Sequence, residues 1–117
     1  MARRRGTQPP STISPQAALV ILESVLEGGK SLGDSPSKDD FDRWAATAND
    51  AVTEALGESN AAAAFYRECH EAQGGSRIQE YDSGPIVIPP QVRAQHLRRA
   101  LGILEEAMKL QRLKAGV

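Results

Sequence analysis

The segment SKDDFDRWAATANDAVTEALG, residues 37–57, carries the clearest structural signal in the chain. Ser37, Asp39 and Asp40 are typical of a helix start, because serine caps free amides and acids favour the positive end of the helix dipole. Gly57 is typical of a helix end. The apolar residues between them recur at steps of three and four, which predicts one buried helical face: Phe41, Trp44, Ala45, Ala48, Val52, Ala55 and Leu56. We predict that Trp44 lies in the core, and we interpret Asp39, Asp40 and Asp42 as stabilising the helix rather than as catalytic groups.

Three further segments carry helical patterns. One begins at Ser14-Pro15 and is weakened by Gly28-Gly29, and one runs from Ser59 or Asn60 to Gly74-Gly75. The last opens at Pro90 and carries a stripe of Leu97, Leu101, Leu104 and Met108. Aromatic residues make up only 4% of the chain, which favours packed helices over a sheet. The predicted fold is all-α, a four-helix bundle with a flexible N-terminal arm and a long loop before the last helix.

The domain organisation follows from length and local composition. A chain of 117 residues has room for one core. We predict a disordered basic arm over residues 1–14 and one helical domain over residues 15–117, with a long loop at 74–89. The apolar triplet Ile86-Val87-Ile88 in this loop is either a strap laid across the bundle or an exposed docking peptide.

The last helix is the main candidate for binding. Residues 91–117 are basic and residues 16–83 are acidic, so the helix either complements the rest of the chain or forms a docking surface. Its apolar stripe is wide enough for a central helix or for one that receives a second chain, and Gly102 could permit close helix contact. The predicted interaction surface consists of Arg93, Arg98, Arg99, Lys109 and Arg112, together with Ile86, Val87 and Ile88.

Catalytic, cofactor and metal sites are not predicted. Gly28-Gly29-Lys30-Ser31 resembles the end of a phosphate-binding loop, but it follows a helix rather than a strand. Cys69-His70 lacks an orienting acid, and Cys69 falls on an apolar stripe. His70 and His96 are more typical of surface or edge positions than of ligands. One cysteine forms no internal disulfide and suits a reducing, cytoplasmic setting, and no apolar run is long enough to cross a membrane.

The spacing Phe41-x-x-Trp44, Leu56-Gly57-Glu58-Ser59 and Phe65 resembles a helical region that precedes TIR-like nucleotide-binding domains in prokaryotic, defence-type proteins. The stretch 101–107 is similar to the closing helix of that region, and the resemblance covers roughly residues 17–112. It implies a sensing, partner-binding or oligomerising role. The chain departs from the pattern by stopping at Val117, where the effector domain would begin.

These observations predict a non-enzymatic interaction, adaptor or oligomerisation module, which could regulate a separately encoded effector. The alternative is a small nucleic-acid-associated protein that uses Arg3, Arg4, Arg5 and the basic last helix. The sequence pI of about 6.1 argues against that alternative. We expect a protein partner or self-association, and no membrane partner.

Overall fold

Across the residues that the structure describes, the protein is a four-helix, all-α bundle. A computed structural model describes residues 13–74 and 88–116, and no strand occurs within these ranges. The helices are α1 (Pro15–Lys30), α2 (Lys38–Leu56), α3 (Asn60–Ala72) and α4 (Pro90–Ala115). The predicted fold class is therefore confirmed. The predicted N-terminal arm lies almost wholly outside the described residues, as does the loop between Gly74 and Ile88.

Serine side chains start the first three helices, as predicted. The hydroxyl oxygens of Ser14, Ser37 and Ser59 accept hydrogen bonds from backbone N–H groups three residues ahead, at 3.1, 3.1 and 3.2 Å. Each bond satisfies an amide that has no partner within the helix. Ser59, rather than Asn60, is thus the cap of α3. Gly57 ends α2 with a φ of 67°, a conformation that other residues rarely adopt.

The helices form a ring in which each packs against the next and α4 closes on α1. Asp42 near the start of α2 accepts a hydrogen bond from Gln73 at the end of α3 (2.9 Å), as antiparallel neighbours allow. The apolar stripes face inward and make one core, in which the bulky side chains buried most completely are Phe41, Phe65, Leu22, Leu104, Val52 and Cys69. The remaining core residues are largely alanine, which lets the helices approach closely.

Trp44 joins three of the helices, although its side chain is only half-buried. Its indole Nε1–H donates to the carbonyl of Val25 in α1 at 3.2 Å. Its ring centroid lies 5.7 Å from that of Phe41 and 5.8 Å from that of Phe65. The ring also covers Gly28 and Gly29, where added Cβ atoms would approach it to 3.3 and 2.9 Å. Because Gly28 and Gly29 have no side chains, the surface of α1 leaves space there for the indole ring of Trp44.

Gly29 and Gly102 both lie within helices but have different surroundings, so alanine substitutions at the two positions test how closely the helices pack. A Cβ at Gly29 would meet Leu101 at 2.6 Å and the Trp44 ring at 2.9 Å, whereas a Cβ at Gly102 would meet nothing within 4 Å. We expect Gly29→Ala to lower the free energy of unfolding by about 1–3 kcal/mol through overpacking. We expect Gly102→Ala to raise it by about 0.5–1 kcal/mol, because alanine loses less backbone entropy. Urea denaturation of both variants measures the contrast, and equal stabilisation would contradict the close approach at Gly29.

This comparison corrects the sequence interpretation of Gly102. The close helix contact lies at Gly29 on α1, not at Gly102 on α4. Within the part of the chain that the structure describes, none of the helices combines the length and the apolar character needed to cross a membrane.

Candidate functional site

The exposed apolar side chains identify the candidate site. Within the described ranges, the large hydrophobic residues on the surface are Val20, Tyr66, Leu110 and Leu113, exposed by 67, 57, 57 and 73% respectively. Leu110 and Leu113 lie three residues apart, so they adjoin each other on one side of α4. Paired exposed leucines on a helix are a stronger sign of a binding surface than scattered ones.

Among the described helices, none covers the end of α4, because α4 is longer than its neighbours. At 1.5 Å per residue, the 26 residues of α4 span about 39 Å and the 13 residues of α3 about 20 Å. The buried residues of α4 end with Met108. Positions 111 and 115 would continue its inward face, but they are Gln111 and Ala115 and are only partly buried. The final turns of α4 therefore extend past the core.

A shallow apolar depression leads to this end along the seam between α3 and α4. It has a volume of about 420 Å³. Ala61 and Glu68 of α3 line it, and α4 contributes Arg99, Gly102, Ile103, Glu106, Ala107 and Leu110. Small residues at several of these positions keep the depression open. We use the name α4 surface for Gly102, Ile103, Glu106, Leu110 and Leu113, which run along one side of the helix.

Basic side chains flank the α4 surface. Of the predicted interaction residues, Arg98, Arg99, Lys109 and Arg112 are exposed. Lys109 lies 3.3 Å from Glu106 and precedes Leu113 by four residues, so it borders the apolar strip. Lys114 follows Leu110 by four residues, so it also borders the apolar strip. The surface thus combines two exposed leucines with mainly cationic neighbours, and Glu106 is the acidic residue within it.

Arg93 does not belong to this surface, and its assignment to the interaction surface is wrong. The residue is buried, with 7% exposure. Its Nη1 donates to the carbonyl of Pro36 at 2.9 Å, and its Nη2 donates to the carbonyl of Ile88 at 3.1 Å. The guanidinium therefore ties the α1–α2 loop to the segment before α4. Both carbonyls are neutral, so nothing in the pattern of sequence charges marked this contact.

Of the remaining residues predicted to bind a partner, one is buried and the others lie outside the described residues. Ile88 is buried, which agrees with a strap rather than an exposed peptide at that residue. Ile86, Val87 and the arginines Arg3, Arg4 and Arg5 lie outside the described residues. Leu113 was missed by the sequence interpretation. Two features of the sequence could have indicated that Leu113 is exposed beside Leu110. These are the three-residue spacing between the two leucines and the glutamine at position 111, where the inward face of α4 continues.

The thiol of Cys69 is chemically protected. Burial raises its pKa to about 12, and the Glu68 carboxylate also raises it, while a hydrogen bond with Asn49 opposes the change. A thiol with so high a pKa holds almost no thiolate at neutral pH and is a poor nucleophile. Cys69 is therefore a core residue, and the adjacent His70 instead stacks on Tyr66 with ring centroids 5.6 Å apart.

The remaining polar candidates have structural partners. The Nδ1 atom of His96 lies 2.8 Å from a carboxylate oxygen of Glu68, so this pair links α4 to α3. Partial burial acts to raise the pKa of Asp42, but the hydrogen bonds from Lys38 and Gln73 and the charge of Lys38 together outweigh it and hold that pKa below its ordinary value. Across residues 13–74 and 88–116, no cluster of His, Cys, Asp and Glu is arranged to hold a metal ion.

The phosphate-loop-like stretch is likewise explained by packing. Residues 28–30 lie in the last turn of α1, where Gly28 and Gly29 receive the Trp44 ring. A phosphate-binding loop instead places its glycines before a helix start, so that free amides face the phosphate. The stretch has the wrong geometry for that chemistry.

Comparison of the chain with protein-family models, with curated proteins and with solved structures yields no match. The resemblance to the region preceding TIR-like domains thus stays a prediction.

Proposed function

We propose that the protein is a non-catalytic interaction module that associates with further copies of itself through the α4 surface. The observation that carries the proposal is the uncovered end of α4, where Leu110 and Leu113 are exposed by 57 and 73%. Burying a leucine side chain contributes about 1.5–3 kcal/mol, so two leucines supply a useful part of the free energy of a moderate interface.

The surface is also well placed for binding. It lies on a regular helix whose preceding turns are anchored in the core by Leu104 and Met108. An anchored helix loses little conformational entropy when a partner docks, which favours affinity. The mainly cationic neighbours of the two leucines give the site a preference for acidic partners and would accelerate their encounter.

The charge distribution supports self-association over nucleic-acid binding. Residues 13–74 carry a clear excess of acidic over basic residues, so most of the described surface would repel a phosphate backbone. One of the six basic residues of α4, Arg93, is buried in a structural contact. An acidic body beside a basic helix instead offers two complementary surfaces within one chain.

The test is the double variant Leu110→Glu/Leu113→Glu. We expect the wild-type weight-average mass in sedimentation to rise over about two decades of protein concentration around the micromolar range, while the double variant stays monomeric. Both leucines are exposed, so the thermal melt should change little.

Gln91→Glu/Gln95→Glu is the matched control. It adds the same two charges at exposed positions of the same helix, but near its start. This control should associate as the wild type does. A wild-type chain that stays monomeric throughout, or a leucine variant that associates as well as the control, would overturn the proposal.

A further inference from the structure

A second exposed apolar surface lies on the opposite side of the bundle. It is a groove of about 400 Å³ between α1 and α2, whereas the α4 surface borders the seam between α3 and α4. Its lining is mainly apolar and includes Val20, Ile21, Val25, Trp44, Ala48 and Ala51. Val20, exposed by 67%, stands at its edge. We call these residues the α1–α2 groove.

The exposed charges near the α1–α2 groove are mainly acidic. Glu23 and Glu27 follow Val20 by three and seven residues, so they lie on the same side of α1 and are exposed. Glu54 lines the groove from α2. The charges near the groove are thus mainly acidic, although Arg43 lies one turn before Thr47 of its lining. The charges beside Leu110 and Leu113 are mainly basic, although Glu106 lies among them.

Two α4 surfaces packed in parallel would make poor partners for each other, because Lys109 and Lys114 of one copy would lie close to the same residues of the other. Like charges brought together at an interface cost free energy and slow encounter. An antiparallel contact avoids this repulsion but leaves the α1–α2 groove of each copy uncovered. Pairing the α4 surface with the α1–α2 groove brings opposite charges together and covers both apolar patches.

We propose that the α4 surface of one copy docks into the α1–α2 groove of a second copy, with Leu110 and Leu113 against the groove and Lys109 and Lys114 facing the acidic residues near it. This inference rests on the self-association proposed above. The contact joins two different patches, so each copy keeps one free α4 surface or one free groove. Such head-to-tail contacts form rings when they close and open chains when they do not. The two patches lie on opposite sides of the bundle, so two copies cannot make both contacts with each other, and the assembly extends beyond a dimer.

Complementary blocking variants test this arrangement. Leu110→Glu/Leu113→Glu removes the α4 surface and leaves the groove intact. Val20→Lys/Glu23→Lys places positive charge where Lys109 and Lys114 must dock and leaves α4 intact. Both positions are exposed, so the bundle should fold, which far-UV circular dichroism checks. Each variant alone should be monomeric, because it lacks one half of the contact.

An equimolar mixture of the two variants is the decisive sample. The leucine variant supplies an intact groove, and the groove variant supplies an intact α4 surface. One variant can therefore bind the other but neither can bind a third chain, so we expect the mass to reach twice the 12.6 kDa of the chain and no more. The wild type at the same concentration should exceed that mass. A symmetric α4–α4 contact predicts instead that the groove variant associates by itself as the wild type does, which would overturn the inference.

The failure modes are distinguishable. A monomeric wild type removes the self-association proposal and this inference with it. A wild type that associates, combined with a mixture that stays monomeric, removes the head-to-tail pairing alone. Glu23→Lys/Glu27→Lys gives an independent measurement, since it changes the acidic residues near the groove without touching an apolar residue. We expect it to weaken association at low salt, and unchanged association would count against the docking surface proposed.

Discussion

Replacing Trp44 by alanine should lower the free energy of unfolding by about 3–5 kcal/mol, a large part of the 5–15 kcal/mol typical of a folded domain. The ring is half-buried, but it contacts Phe41, Phe65 and α1 together. Its removal leaves a gap opposite Gly28 and Gly29, which have no side chains to fill it. The surroundings can therefore relax little, and the cost should be high for a partly exposed residue.

Urea denaturation followed by far-UV circular dichroism measures this effect, since the variant lacks the only tryptophan. Trp44→Phe is the control, because it retains a ring and loses the N–H that donates to the Val25 carbonyl. A single hydrogen bond contributes about 1 kcal/mol, so this variant should lie well above the alanine variant in stability. A melt of Trp44→Ala that matches the wild type would show that the indole is not part of the core.

Local patterns were sufficient to predict the four helices. Serine caps, prolines at first turns and terminal glycines act within a few residues of each other, so the sequence contains the whole interaction. The stripe of residues 41–56 also identified the inward face of α2, with Phe41, Ala45, Ala48, Val52 and Ala55 all buried. Periodicity predicts such faces because it depends only on helix geometry.

The contacts between helices could not be predicted in this way. Gly29 and Gly102 look alike in sequence, and only the packing of Trp44 and Leu101 shows which one lies at a close approach. The exposed end of α4 depends on its length relative to α3 and on where the two helices align. The charge pattern groups Arg93 with the other basic residues of α4. Its actual partners are the carbonyl of Pro36, which is distant in sequence, and the carbonyl of Ile88, which lies just before the helix.

The candidate site, like the fold, could be predicted from the sequence only in part. The sequence indicated α4 as the binding helix and named four basic residues that are exposed, Arg98, Arg99, Lys109 and Arg112. It gave no reason to choose Leu113 or the α1–α2 groove, because exposure and grooves arise from the tertiary arrangement. The function implied by the resemblance to regions preceding TIR-like domains stays a prediction, and the self-association experiments bear on its oligomerising role.

Replacing Arg93 by methionine should lower the free energy of unfolding by about 3 kcal/mol. Hydrogen bonds that involve a charged group contribute about 1.5–3 kcal/mol each, and Arg93 donates to the carbonyls of both Pro36 and Ile88. Methionine fills much of the same space but leaves those acceptors without the guanidinium. The α1–α2 loop and the start of α4 would then be less firmly joined, so hydrogen exchange in both segments should accelerate.

Arg98→Met is the matched control, since it removes the same side chain from an exposed position five residues further along α4. Surface substitutions of this kind usually change stability by less than about 0.5 kcal/mol. Arg93→Lys should fall between the two variants, because an ammonium group lacks the fork that reaches two carbonyls at once. If Arg93→Met and Arg98→Met unfold at the same urea concentration, the guanidinium does not hold the α1–α2 loop against the start of α4.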